Sequence, residues 1–287
     1  MANYKVVGID IGGSHITAGI VDLESRNVTR ETLIRAHVNS KSSAAAIIDV
    51  WATVIDKLFN DHPNAEKKIG IAMPGPFDYE DGISMIHDLD KFECLFGLNV
   101  KKLLAEKLKI NKENILMMND ASCFLKGEVF GGVATDCNTV LGVTLGTGLG
   151  SARFHDGKIF AGDLYCSSFK NETDEDYLSR RWLLKRYSEL TSNTVKNVKE
   201  LTERISDDSR IASLFCEFGR NLGKVLSGYA QKYNCDTIVI GGNINNAWDL
   251  FADETKTILN QINRNISIKK AQLCEEAAMI GAASLWN

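Results

Sequence analysis

The apolar positions of this 287-residue chain change their period several times, and each change marks an element. Lys5 to Ile11 and Ile16 to Leu23 are β-rich runs on either side of Gly12-Gly13-Ser14, which predicts two strands joined by a tight glycine turn. A third strand is expected near Glu31 to His37. From Ser42 to Phe59, residues Ala46, Ile47, Val50, Val54, Ile55 and Leu58 follow helical spacing, with serines placed to cap the start. A return strand at Lys68 to Met73 stops at Pro74-Gly75-Pro76. A helix at Val100 to Leu108 then leads to a strand at Ile115 to Met118, which ends at Asn119-Asp120.

The same grammar restarts at Asn138. A strand at Thr139 to Leu145, a turn at Gly146-Thr147-Gly148-Leu149-Gly150 and a strand from Ser151 to His155 form a second glycine hairpin, which turns again at Asp156-Gly157. Helical segments fill Glu175 to Tyr233, the longest from about Arg210. The strand Thr237 to Ile240, the loop Gly241-Gly242-Asn243, a helix near Asp249 to Gln261, a strand near Ile268 to Leu273 and a helix at Glu276 to Trp286 complete the chain. Two passes through the same element order predict two similar α/β lobes facing each other across a cleft. One lobe is expected at residues 1–118, completed by the C-terminal helix 276–287, and the other at residues 119–275.

Composition narrows the partners. With 44% hydrophobic residues a sizeable core can be buried, and a net charge of -4 without a dense Lys/Arg tract argues against nucleic acid or an anionic membrane surface. Seven cysteines with no C-x-x-C pair predict reduced, mostly buried thiols and not a disulfide framework. The N-terminus leads straight into a strand without the regions of a signal peptide, and no run reaches the roughly 18 apolar residues of a membrane span. A cytoplasmic protein is expected.

Glycine turns let backbone amides approach phosphate oxygens. Each hairpin alone reads equally well as a plain turn; their equivalent places in the two halves favour a polyphosphate ligand. Neither fits G-x-x-x-x-G-K-[ST], and the second leads into strand-like Ser151-Ala152-Arg153-Phe154, which disfavours a dehydrogenase. Asp10 lies inside an apolar strand, where an unpaired carboxylate is costly. Mg²⁺ is its natural partner beside phosphates, and amides of its own turn are the alternative. Asp120 ends a strand, where α/β sheets place ligands. Asn and Asp are also favoured helix caps, so Asn119 is expected to cap while Asp120 faces the cleft. Lys126 and Glu128 read as solvated helix residues, and His15 as a surface histidine.

Together these residues resemble the ROK family of sugar kinases and sugar-responsive repressors, a branch of the actin, hexokinase and heat-shock chaperone ATPase fold. The resemblance implies two duplicated ribonuclease H-like lobes. Asp10-Ile11-Gly12-Gly13 is similar to the family's first phosphate loop, and Leu145-Gly146-Thr147-Gly148-Leu149-Gly150 to its second. Gly70-Ile71-Ala72-Met73-Pro74-Gly75-Pro76 resembles the G-x-A-x-P-G-P segment, which implies Gly75 and Pro76 beside the sugar. Asn119-Asp120-Ala121 matches the N-D-A segment, implying Asp120 as catalytic base and Asn119 as sugar ligand. Gly241-Gly242-Asn243 resembles the adenosine-side loop.

The resemblance implies ATP-dependent phosphorylation of a hexose or hexosamine hydroxyl, with Asp10 at Mg²⁺ and a homodimer. The sugar, the hydroxyl and the donor, ATP or polyphosphate, stay open. Two departures stand out. The family's C-x-C-G-x-x-G-C zinc motif is absent, so no zinc is expected. Where the family carries E-x-G-H, this chain reads Ala161-Gly162-Asp163-Leu164-Tyr165-Cys166, with Asp163 and Tyr165 the candidate replacements. Asp88, in the segment from His87 to Phe92, stands where the family has a sugar-binding asparagine; an ordinary exposed loop is the alternative. The rival functions are a non-catalytic sugar sensor, whose family members usually carry a preceding helix-turn-helix, and an ATPase that regulates a partner protein.

Overall fold

The first glycine turn closes a hairpin in which β1 (Lys5–Ile11) pairs antiparallel with β2 (His15–Asp22), and Asp10 stands opposite Thr17. In this computed structural model residues 4–89, 91–262 and 266–287 are described; the first three residues, on which the signal-peptide reading partly rests, lie outside them. The outer edge of β2 is shared by two short strands, β3 (Asn27–Val28) and β4 (Ile34–His37). The third strand is therefore shorter than its apolar run, because a 3-10 turn occupies Arg30–Thr32. There the Thr32 hydroxyl donates to Thr29 O at 2.6 Å and accepts from Ile20 N at 2.8 Å.

Helix α1 (Ala44–Asp61) begins where Ser43 accepts from Ala46 N at 3.3 Å, and it buries Ile47, Ile48, Trp51, Val54, Ile55 and Leu58. Ala46, expected on that face, is exposed; Trp51 takes the inward position instead. Strand β5 (Ile69–Met73) returns parallel to β1. The small hairpin β6 (Phe77–Asp78) and β7 (Ile83–Ser84) precedes α2 (Val100–Leu108) and β8 (Ile115–Asn119), which pairs parallel with β5. Helix α3 (Asp120–Gly131) leaves directly from β8. The sheet order is β3-β2-β1-β5-β8.

The second half repeats this order. Strands β9 (Thr139–Leu145), β10 (Leu149–His155) and β11 (Lys158–Ala161) form an antiparallel meander. A small hairpin, β12 (Ser168–Phe169) with β13 (Glu172–Thr173), leads to α4 (Asp174–Leu178), α5 (Arg180–Thr191), α6 (Val198–Glu203) and the 25-residue α7 (Ser209–Tyr233). Strand β14 (Thr237–Gly241) pairs parallel with β9; after α8 (Trp248–Ile262), β15 (Ser267–Lys270) pairs parallel with β14. The order β11-β10-β9-β14-β15 is strand for strand that of the first sheet. Aligning β1 with β9 puts Gly8 on Gly142 and Asp10 on Thr144.

The chain divides into two compact units, residues 1–135 with 275–287 and residues 136–274. The first unit thus keeps α3, whereas the sequence placed a boundary at 118. Helix α9 (Ala277–Ala283) explains the difference. A Cβ on Gly281 would lie 1.8 Å from Cys123 O of α3, and one on Gly127 would lie 2.0 Å from Ala277 O, so these helices meet backbone to backbone. The same helix covers Gly8 of β1 and Gly70 of β5. Each unit has its own core, around Trp51 and Phe92 in the first and around Phe215, Phe218 and Phe251 in the second.

Three smaller expectations change. Glu128 is fully buried, not solvated, because its carboxylate accepts from Val133 N at 3.0 Å in the turn after α3, and Lys126 is half-buried. The thiols are not mostly buried: Cys94, Cys166 and Cys274 are exposed. No helix among the described residues is long and apolar enough to cross a membrane.

Candidate active site

Parallel pairing sets the first group of residues. In register, Asp10 lies beside Ala72, Ala72 beside Met118, and Met73 beside Asn119. The carboxyl ends of β1, β5 and β8 therefore bring Asp10, the Pro74-Gly75-Pro76 segment and Asn119-Asp120 to one edge of the first sheet. The pKa of Asp10 is pushed up to about 7, first by burial, then by the charges of Asp120 and Glu275, with Arg35 opposing them. Arg35 itself approaches Glu275 at 3.6 Å. Among the described residues the Asp10 carboxylate has no hydrogen bond, so the alternative in which its own turn satisfies it is not what is seen. Gly12 N donates to His15 O at 2.9 Å, while the Gly13 amide has no such partner among the described residues. Both glycines are exposed, and the Lys91 side chain passes 3.9 Å from where a Gly13 Cβ would stand.

Asn119 is the helix cap. Its Oδ1 accepts from Ser122 N at 3.1 Å, which fixes the amide so that Nδ2 donates to Asp120 Oδ1 at 2.9 Å. Ala121 N donates to the same Oδ1 at 2.9 Å. Both of these bonds fall on Oδ1, and Oδ2 carries none among the described residues. Gly75 is half-buried and Pro76 exposed. Asp88 is an exposed residue with φ of 57°, and its carboxylate pairs with His87 Nδ1 at 2.8 Å. Asp88 thus lies in an exposed stretch, and among the described residues no bond joins it to Asn119 or Asp120.

In the second unit, pairing of Gly241 with Thr144 places Gly241-Gly242 beside the end of β9, next to the turn Gly146-Thr147-Gly148. Gly242 has φ of 84°, and a Cβ there would strike Leu145 O at 2.3 Å, so the two loops touch through backbone. Gly146 N donates to Gly148 O at 3.0 Å, whereas the amides of Thr147 and Gly148 make no backbone bond among the described residues. Asn243 is exposed and opens a 3-10 turn. In that turn Asn245 is buried, with Nδ2 given to Ile240 O at 2.9 Å and Oδ1 without a partner.

Asp163 and Tyr165 have different surroundings. Asp163 accepts from the Tyr229 hydroxyl of α7 at 2.9 Å, and Ser167 Oγ sits against the same hydroxyl. Tyr165 is exposed. Close by, Asp174 is pushed up to about 6 by burial and then by the charge of Asp163. Sequence reasoning missed Tyr79, Glu175 and Tyr229. Glu175 Oε2 accepts from Leu149 N at 2.9 Å at the second glycine turn. None of the three sits in a motif, and each reaches its partner across at least 26 residues.

The donor sets fit the groups that the glycine turns imply. A hard carboxylate, costly to charge and without a protein partner, suits Mg²⁺ held jointly with phosphate oxygens. Unpaired amides at Gly13, Thr147 and Gly148 suit phosphates. No group of three or more His, Cys, Asp or Glu that could hold a metal ion is gathered among the described residues.

Comparison with known proteins gives a consistent picture. The chain is 24% identical to the glucokinase of Thermotoga maritima over 99% of its length and 98% of that protein. A ROK family glucokinase from Streptomyces griseus, solved with glucose and AMPPNP, superposes with a TM-score of 0.78 at 20% identity, covering 98% of both chains. A ROK family transcriptional regulator, homologous to the E. coli MLC protein, superposes at 0.79 with 16% identity, over 97% of this chain and 76% of that one. These two likenesses are of fold, the actin-like ATPase fold with its repeated sheet. The ROK family pattern itself matches residues 6–167 and 165–287, and with both halves of the sequence so matched, the chain belongs to the ROK family.

Proposed function

We propose that this protein transfers the terminal phosphoryl group of ATP to a hydroxyl of a hexose or hexosamine. The observation that carries this reading is the Asn119-Asp120 pair at the carboxyl end of β8, on the same sheet edge as Asp10. Phosphoryl transfer asks a protein for alignment and charge stabilisation more than for covalent chemistry. Asp120 accepts the proton of the attacking hydroxyl on Oδ2, the oxygen that Asn119 and Ala121 leave open. Asn119 orients the sugar, and Gly75 and Pro76 border it; Asp88, Asp163 and Tyr165 are weaker candidates for sugar contacts. The amides of Gly13, Thr147 and Gly148 hold phosphates, Gly12 and Gly146 shape the two phosphate turns through their own backbone bonds, and Gly241, Gly242 and Asn243 border the nucleoside. Mg²⁺, held by Asp10, supplies charge neutralisation at the phosphates.

Relatives support this reading: curated proteins matched over nearly their whole length are named a glucokinase and N-acetyl-D-glucosamine kinases. The reading includes the family's homodimer, a cytoplasmic setting and no zinc. A sensor is the second reading, favoured by the regulator of the same fold. Incubating the purified protein with MgATP and a panel of sugars separates the possibilities. Sugar-stimulated ADP release is the expected result. Release independent of sugar points to an ATPase, sugar binding without release to a sensor, and activity with polyphosphate alone to a different donor.

A further inference from the structure

Between the Pro74-Gly75-Pro76 segment and Asp120 stands a side chain that neither motif contains. Tyr79 follows β6, with its ring stacked on Phe77 at 5.4 Å between centroids. Its hydroxyl donates to Met73 O at 3.0 Å and accepts from Asn119 Nδ2 at 3.4 Å. The donors in this network are each used once. Capping fixes Asn119 Oδ1 on Ser122 N; of the two N–H bonds of Nδ2, one goes to Asp120 Oδ1 and the other to Tyr79. The tyrosine proton goes to Met73 O, so its oxygen is left as acceptor. Burial pushes the tyrosine pKa up, which keeps the hydroxyl protonated and the donor in place.

From this wiring we infer that Tyr79 is a positioning residue for the proposed phosphoryl transfer, holding the Asn119 amide so that Asp120 presents its free oxygen to the substrate hydroxyl. Loss of the hydroxyl leaves one Asn119 N–H unpaired and lets the amide turn away from Asp120 Oδ1. It also frees Met73 O at the start of the segment that borders the sugar. Gly75 belongs to the same device: a Cβ there would lie 2.8 Å from the Tyr79 hydroxyl, so any larger residue displaces it.

The inference rests on the kinase reading, and the experiment separates the two. Tyr79→Phe keeps the ring and its stacking. Its kcat for the sugar that best stimulates ADP release is expected to fall about tenfold, the worth of one hydrogen bond, with KM for ATP unchanged. The same substitution placed in Asn119→Ala is expected to cause no further loss, because the group it positions is gone. A purely structural role for Tyr79 would persist in that background. Gly75→Ala, which leaves Tyr79 in place but pushes its hydroxyl aside, is expected to reproduce the loss in kcat.

An unsubstituted protein without sugar-stimulated release overturns the kinase reading and the inference together. An active protein whose Tyr79→Phe variant keeps its kcat, or loses equally with and without Asn119, overturns the inference alone.

Discussion

Asp10 near the end of β1 and Asp120 just after β8 flank the end of β5, and after burial it is the charge of Asp120 that does most to raise the Asp10 pKa to about 7. Two carboxylates on one edge divide the work. One is costly to ionise and waits for a cation. The other is tied through Oδ1 to Asn119 and to its own helix.

That division predicts a competition between protons and metal. Near pH 7 a proton occupies Asp10 in about half the molecules, and Mg²⁺ must displace it. The acid limb of kcat/KM for MgATP is therefore expected near neutral pH at low free Mg²⁺, moving to lower pH as Mg²⁺ is raised. Initial rates measured between pH 5.5 and 8.5 at several Mg²⁺ concentrations check this; an acid limb that ignores Mg²⁺ removes Asp10 from the metal site.

Stability follows the same group with a definite sign. The folded carboxyl holds its proton up to about pH 7, whereas the unfolded one loses it near the ordinary value of 3.8. The folded state binds more protons between those values, so the ligand-free protein loses stability as pH rises through that window, with no further loss above it. Asp10→Asn lacks this penalty. Urea unfolding without ligands is expected to show the variant more stable at pH 8, on the order of 2 kcal/mol for a half-buried group at about 1.4 kcal/mol per tenfold change in proton affinity.

Asp120→Asn keeps the size and the cap geometry but cannot take a proton. Sugar binding by calorimetry is expected to persist, while kcat falls about a hundredfold to ten-thousandfold. An unchanged kcat would reject Asp120 as the base.

At Gly281 the expected effect is structural. A methyl would lie 1.8 Å from Cys123 O and 2.7 Å from Gly127 N, backbone atoms that move only with their helix. Gly281→Ala is expected to cost about 3 kcal/mol in urea unfolding, as overpacking in a rigid contact does. Gly97→Ala, where a Cβ meets nothing but φ is 72°, is the control and costs less.

Much of this was legible in the chain because the signals are local. Two glycine turns, the apolar strands around them and Asn119-Asp120 at a strand end need only a few neighbouring residues to be read. What was not legible depends on residues far apart in sequence. Glu128 looks like a surface glutamate until the turn after α3 folds back on it. Tyr79 looks like a loop residue in Phe77-Asp78-Tyr79-Glu80, since Asn119 is 40 positions away. Asp163 finds Tyr229 across 66 positions, a partner that the Asp163-Leu164-Tyr165 segment does not reveal. The lobe boundary failed for the same reason: the glycine contacts that bind α3 to α9 join residues more than a hundred positions apart.

The attachment of α9 to the first unit also orders events during synthesis. Residues 136–274 form a continuous unit that is complete when its last strand emerges, but the first sheet is made before it and lacks until after it the helix that covers Gly8 and Gly70. At about 5–20 residues per second, roughly 140 residues of synthesis separate the end of α3 from α9, leaving that face bare for about 7–30 s. The half that carries Asp10 and Asp120 is thus begun before the other unit and closed after it, when α9 is made.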